Sequence, residues 1–169
     1  KISTRAILCF PFHKLQDGYE EERLGKSGFG STKQGIAPVY SDKYLKYGIQ
    51  VGALFYPDYL KEQLERCVDL KNQIFQGVYQ KPAIDLQKMF EWAMTYGEQL
   101  KPYICDTIPL LEAAQKSSKR ILLEAQLGTL RDIHYGIYPY TTSSSPLADF
   151  GIVGAGLFGS YTELPTVTG

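Results

Sequence analysis

Gly28-Phe-Gly-Ser-Thr-Lys-Gln-Gly35 is small, polar and rich in glycine, as a loop must be if its backbone approaches a ligand or another segment closely. It carries two hydroxyls, Ser31 and Thr32. Around it Arg23, Lys26, Lys33, Lys43 and Lys46 face only Asp42 within 23–46, a local balance of +4. Backbone N–H groups, hydroxyls and ammonium groups are what a phosphate needs. No Gly-Lys-Ser/Thr closes the pattern, so it is not a Walker loop. On residue types alone, an anion site and a solvated basic face both account for it. A second hydroxyl cluster, Thr141 to Ser145 before Pro146, has the same double reading: donors to phosphate oxygens, or caps and turn formers.

Other reactive residue types are sparse. Neither His13 nor His134 has a Ser/Asp or Cys partner at a diagnostic spacing; His13, just after Pro11-Phe12, reads as structural, and His134 is open between the two roles. No His/Cys/Asp cluster indicates a transition metal. Cys9, Cys67 and Cys105 are widely spaced, odd in number and set among apolar neighbours. They read as small core residues in a reducing, cytoplasmic protein rather than as a disulfide framework.

The elements that must position these groups can be traced along the chain. Residues 5–10 form a short apolar run bounded by Pro11, which predicts a buried strand. His13 to Leu24 has helical spacing, weakened at Gly18 and closed by Gly25. After the loop, a helix is expected from Ile36 to Tyr47, with Pro38 in its first turn. Leu60, Leu64, Cys67/Val68, Ile74 and Val78 predict a helix from Tyr59 to about Gly77. Leu86, Met89/Phe90, Ala93, Tyr96 and Leu100 predict another from Asp85 until Pro102 interrupts. The short Gln80–Ala83 link between them favours an antiparallel pair. Asp106 can cap a third, shorter helix through Leu110, Leu111 and Ala114. Ile121-Leu122-Leu123 reads as a buried strand feeding into Glu124-Ala125-Gln126, and polar groups just after a buried strand are a usual place for a site in an α/β sheet.

This organisation is α/β, helix-dominated, with few strands. We divide it into 1–35 (strand, helix and candidate phosphate loop), 36–118 (helical) and 119–169 (strand plus a Gly/Ser/Thr-rich segment), together one incomplete domain. The chain has 169 residues, 44% of them hydrophobic, enough for a real core. Its 18 basic and 18 acidic residues cancel, which argues against a surface that grips nucleic acid or an anionic membrane. The balance is uneven, +3 over residues 1–131 and −3 over 132–169. No apolar run approaches the ~20 residues that span a bilayer. The start at Lys1 without Met suggests an internal piece of something longer.

Two long stretches carry a resemblance. Gly30-Ser-Thr-Lys-Gln-Gly-Ile-Ala-Pro-Val-Tyr40 with Ser41-Asp42-Lys43 is similar to the Gly-Thr-Thr…Gly-Ile-Gly-Pro-Ala-Tyr…Asp-Lys segment of adenylosuccinate synthetases. Ile121 to Asp132, leading into Gly136-Ile-Tyr-Pro-Tyr-Thr-Thr-Ser-Ser-Ser145, resembles that family's Glu-Gly-Ala-Gln-Gly…Leu-Asp-Ile…Gly-Thr-Tyr-Pro…Thr-Ser-Ser-Asn segment. Cys67-Val-Asp-Leu-Lys-Asn72 and Gly97-Glu-Gln-Leu-Lys-Pro-Tyr103 fit the helical region between them, so the resemblance spans essentially the whole chain.

The resemblance implies a P-loop-NTPase-like fold and an enzyme of AMP biosynthesis that joins L-aspartate to inosine monophosphate (IMP) using GTP and Mg2+. GTP phosphorylates the 6-oxygen of IMP, and the amino group of aspartate then displaces the phosphate. It implies IMP contacts at Thr32 and Thr142 near the 5′-phosphate, and at Gln126, displaced by one position from the commonest spacing. Lys46 stands where an arginine usually reaches into the partner's site of a homodimer; lysine keeps the charge without the planar fork. Ser31, Gln34, Ala37, Ala125, His134 and Ser145 depart from the family's usual residues, and Asp149 falls in its Ala-Gly-Gly stretch. The catalytic aspartate and histidine, the magnesium site and the main phosphate loop are expected before Lys1, and the aspartate and guanine sites beyond Gly169. The chain alone is therefore expected to be inactive. Two other classes stay open: a non-catalytic helical interaction module derived from the family, and a different nucleotide-phosphate enzyme reusing the loop.

Overall fold

A computed structural model describes residues 1–157. The element order is β1 (Ile2–Ser3), α1 (Pro11–Leu24), α2 (Ile36–Leu45), α3 (Pro57–Gly77), α4 (Leu86–Leu100), β2 (Ile104–Cys105), α5 (Ile108–Lys116) and α6 (Ala148–Ala155), with short 3-10 turns between some of them. The chain divides into two compact units, Lys1–Cys105 and the part that begins at Asp106.

The first unit holds the core. Leu60, Leu64, Cys67, Val68 and Phe75 of α3 lie on one face of the helix, with Lys71 between the last two, and are all buried. They join Leu8, Phe10, Phe12, Val51, Leu54, Ala93 and Ile104 in one cluster. α4 packs on α3, its start fixed by the Asp85 carboxylate, which accepts from Lys88 N–H at 3.0 Å. Gly97 lets α4 approach Leu54, since a Cβ there would lie 2.9 Å from a Leu54 methyl. β1 and β2 pair in parallel, Ile2 with Ile104 and Ser3 with Cys105, and together form the two-stranded sheet.

The expected strand at 5–10 does not form. Arg5 and Ala6 lie in a turn and a bend, and the rest of the run, with Leu8 and Phe10 buried and Cys9 exposed, makes only an isolated antiparallel bridge between Ile7 and Gln50. The 3-10 turn at Val51–Phe55 bends the opposite segment away before a ladder can grow. Pro11 ends the run as expected and opens α1, because a proline in the first turn loses no helical hydrogen bond. The helices at 36, 59, 85 and 106 are found with shifted ends; α5 starts at Ile108, whose N–H is still met by the Asp106 carboxylate at 3.2 Å.

In the second unit the expected strand at 121–123 is also missing. A strand needs a ladder partner, and among the described residues nothing pairs with it; Leu122 is 87% exposed. The rest of the Gly/Ser/Thr-rich segment is built from turns, plus α6, which the sequence reading did not anticipate. Residues 158–169, the end of that segment, lie outside the described residues.

Candidate functional site

α1 shapes the glycine-rich loop. His13, Asp17 and Glu21 stand four residues apart and so share one face of the helix. Asp17, only 6% exposed, accepts from Ser31 Oγ at 2.7 Å and from Gly35 N–H at 2.9 Å. Glu21 accepts from Phe29 N–H at 2.9 Å and Gly30 N–H at 3.1 Å. Ser31 Oγ in turn accepts from Lys33 N–H at 3.0 Å. At Gly35, which precedes α2, φ is +83° and a Cβ would stand 2.8 Å from the carbonyl carbon of His13, so glycine is required there. The loop donors at Phe29, Gly30, Ser31, Lys33 and Gly35 are thus engaged within the protein. Thr32, at the middle of this frame, is exposed, as is Lys33.

Behind the loop lies a buried polar cluster. Asp42 of α2 accepts from Lys71 Nζ at 2.5 Å on Oδ1 and from His13 Nε2 at 2.9 Å on Oδ2. Lys71, on α3, also donates to Gln16 Oε1 at 2.8 Å, and Cys67 Sγ lies 3.9 Å from Asp42 Oδ2. His13, Asp42 and Lys71 are each at most 2% exposed. Phe10 N–H donates to His13 Nδ1 at 2.9 Å, so the ring proton sits on Nε2 and the imidazole is neutral. Burial lowers the His13 pKa, with Lys71 adding to the effect against the pull of Asp42. Burial pushes the Asp42 carboxyl up, but hydrogen bonds from His13 and Lys71 outweigh it and hold the pKa below its ordinary value. The Cys67 thiol is pushed up to about 12, first by burial and then by the Asp42 charge. The reading of His13 as structural holds. That of all three cysteines as core residues does not: Cys67 is buried, Cys9 exposed and Cys105 half-buried.

The basic surface is carried by the lysines. Arg23 is tied to Glu20 by two bonds, at 2.9 and 2.6 Å, while Asp42, the one acid within 23–46, points inward. Lys43 Nζ lies over the rings of Tyr40 and Tyr44, 5.6 and 5.8 Å from their centroids. Lys46 is exposed at the left-handed end of α2, with φ 65°. With Arg5, Lys43, Phe55, Tyr56 and Tyr59 it borders an open groove of about 710 Å³ that has no acidic residue in its lining.

Gln126 and Thr142 belong to the second unit, and there the structure joins them. The Gln126 side-chain amide donates to Ser144 Oγ, which lies 3.3 Å from Thr142 Oγ1. Thr142 N–H donates to Arg131 C=O at 2.8 Å, and the Arg131 guanidinium donates to Tyr140 C=O at 2.9 Å, closing the turn. Gln126 stands just before a turn in which Leu127 and Gly128 have φ of 67° and 75°.

Asp132, fully buried, organises the opposite side. It accepts from His134 N–H and Tyr135 N–H, both at 2.9 Å, and from Ser145 Oγ. Burial opposes ionisation, and those three donors outweigh it and lower the pKa. His134 stacks on Phe150, with centroids 6.0 Å apart, and Asp149 is exposed in the first turn of α6, where a carboxylate complements the helix dipole.

Sequence reasoning missed Asp17, Glu21, Lys71 and Asp132; Ser144 lay within the Thr141–Ser145 cluster it had singled out. The four-residue spacing of His13, Asp17 and Glu21 was a usable signal; the burial of Lys71 left none. Among the described residues no group of three or more His, Cys, Asp or Glu could hold a metal ion, and no helix is long and apolar enough to cross a membrane.

Comparison with known proteins extends the pattern to the whole chain. Residues 1–168 match the family model described as adenylosuccinate synthetase. The chain is 44% identical over 156 residues to the adenylosuccinate synthetase of Dehalococcoides mccartyi strain CBDB1, covering 92% of this chain and 37% of that protein. It is 43% identical over 157 residues to that of Thermoanaerobacter sp. strain X514, covering 93% and 37%. The structure of a fully ligated adenylosuccinate synthetase from Plasmodium falciparum matches with a TM-score of 0.82 at 28% identity, over 92% of this chain and 36% of that one. The chain therefore spans about 37% of the length of the curated relatives it matches. With both expected motifs in place and the match running from residue 1 to residue 168, the chain belongs to the adenylosuccinate synthetase family.

Proposed function

We propose that this chain is the IMP-binding portion of an enzyme that joins L-aspartate to IMP at the expense of GTP, in AMP biosynthesis. The observation that carries the reading is the hydrogen-bonded chain Gln126–Ser144–Thr142, which links two of the residues the family motif assigns to the nucleotide. In this reading Thr32 and Thr142 donate hydroxyl hydrogen bonds to the 5′-phosphate, and Gln126 contacts the nucleotide. Their contribution is orientation: gripping a remote phosphate holds the purine where its 6-oxygen reacts. Mg2+ and the GTP phosphates are handled by parts of the enzyme other than this chain.

Lys46 supports a homodimeric working state. It stands exposed at a helix end, on the rim of a groove with two other cationic side chains and no acid, so it is free to meet an anionic group on a second copy. Lysine supplies a point charge there, a less shape-selective contact than arginine. We assign the enzyme to the cytoplasm, whose reducing conditions suit three unpaired cysteines.

The test is steady-state kinetics of the full-length enzyme. Thr32→Ala and Thr142→Ala are each expected to raise the KM for IMP by roughly tenfold, about 1.4 kcal/mol of lost binding, with little change in the KM for GTP. Unchanged KM for IMP in both variants would refute the two phosphate contacts.

A further inference from the structure

We propose that Asp17 and Glu21 are positioning residues for the nucleotide: from consecutive turns of α1 they hold the 28–35 loop in one conformation, with Thr32 exposed at its middle. The proposal rests on the IMP reading above and assigns roles to two side chains that touch no substrate.

Three of the eight loop residues, Gly30, Lys33 and Gly35, have positive φ, at 73°, 56° and 83°. A glycine-rich segment of this kind has many conformations open to it, and a ligand that had to select one would bind more weakly by the entropy lost. The two carboxylates remove that freedom beforehand. Glu21 holds the N–H groups of Phe29 and Gly30, and Asp17 holds the Ser31 hydroxyl and the N–H of Gly35. Thr32 is bracketed by residues fixed on both sides, since Lys33 N–H is tied to Ser31 Oγ as well. Each carboxylate uses both oxygens, one on each donor, a geometry a single amide side chain cannot reproduce.

The placement also answers an electrostatic objection. Two acids near a phosphate site would repel the ligand, and placed four residues apart on one helix they repel each other. Here both are turned onto loop donors, so their charge is met by hydrogen bonds before a phosphate arrives. Gly28 leaves the room for this: a Cβ there would lie 2.7 Å from a Glu21 carboxylate oxygen.

Kinetics of the full-length enzyme and backbone amide exchange without ligand test the proposal together. Asp17→Ala and Glu21→Ala are expected to raise the KM for IMP about tenfold, leave kcat within about threefold and leave the KM for GTP unchanged. Asp17→Asn and Glu21→Gln keep one acceptor oxygen each and should fall between parent and alanine variant, and they stand in if the alanine variants do not fold. Tyr19→Leu, which removes a half-buried ring packed on Phe75 and Tyr79, should lower Tm and leave the KM for IMP unchanged. Exchange at Phe29 and Gly30 should speed up in Glu21→Ala, and at Gly35 in Asp17→Ala. Unchanged exchange would overturn the clamp itself. Faster exchange with an unchanged KM for IMP, where Thr32→Ala does raise it, would overturn the positioning role alone. An unchanged KM in Thr32→Ala would instead refute the phosphate role of Thr32, and with it the purpose assigned to the clamp.

Discussion

Lys71 is 2% exposed, and an ammonium group so far from water is tolerable only with a charged partner and further acceptors. Asp42 and Gln16 supply them, and His13 completes the carboxylate's coordination as a neutral donor. The protonation states follow from the donors: Phe10 N–H points at His13 Nδ1, which leaves no place for a second ring proton. Stability should therefore depend on pH in a stated direction. With the His13 pKa lowered in the fold, its neutral form contributes fully above about pH 6.5, the unfolded value, and the contribution is lost as pH falls toward the folded one. Asp42, also lowered, adds its own loss only once the pH drops below about 4. Thermal melts between about pH 7.5 and 5.5 should show Tm falling with acidity, and the slope should flatten in His13→Asn. A Tm that rises over that interval would contradict the neutral assignment.

At the scale of elements, α1, α2 and α3 are locked through side chains that the hydrophobic pattern does not reveal. α1 gives His13 and Gln16, α2 gives Asp42, and α3 gives Lys71. The junction between the loop and α2 is tight, because Gly35 combines positive φ with the His13 carbonyl carbon 2.8 Å from where a Cβ would stand. Gly35→Ala should cost at least about 2 kcal/mol, the left-handed penalty plus displacement of His13. Gly77, with nothing within 4 Å of where its Cβ would be and a helical conformation, is the opposite case. Gly77→Ala should stabilise by roughly 0.5 kcal/mol. Chemical denaturation of the two variants checks both signs, and equal effects would show that the loop relaxes around Gly35. The helices α3 and α4 were legible because their apolar stripes encode burial directly, whereas α6 carried no such signal. The two expected strands were not, because a strand is completed by a partner segment elsewhere in the chain.

At the scale of the molecule, the two units differ in what they bury. The first closes a continuous apolar core. Among the described residues of the second, only Asp132, Ser144 and Leu157 are buried, while Leu122, Leu127, Leu130, Ile137 and Val153 are each more than 60% exposed. Apolar surface on that scale is covered in a working protein, and the chain spans about 37% of its relatives' length. On the proposed reading, the 169-residue chain by itself should yield no adenylosuccinate from IMP, GTP and aspartate. Product formation above background in a coupled or chromatographic assay would overturn the assignment of the reaction centre to other parts of the enzyme.

The sequence by itself determined the helices α1 to α5, the turn-forming glycines and the two motifs that carry the family, because periodicity and short motifs are local properties of the chain. It also marked Thr32, Lys46, Gln126 and Thr142 as candidates. Only the tertiary structure decided which donors remain available to a ligand. Glu21 and Asp17 are ordinary helix-surface acids until the loop folds back on them, and Lys71 is one lysine among many until Asp42 and Gln16 close around it. The two strand predictions failed for the same physical reason: burial, pairing and hydrogen-bond satisfaction are properties of contacts between distant residues, which a linear pattern does not contain.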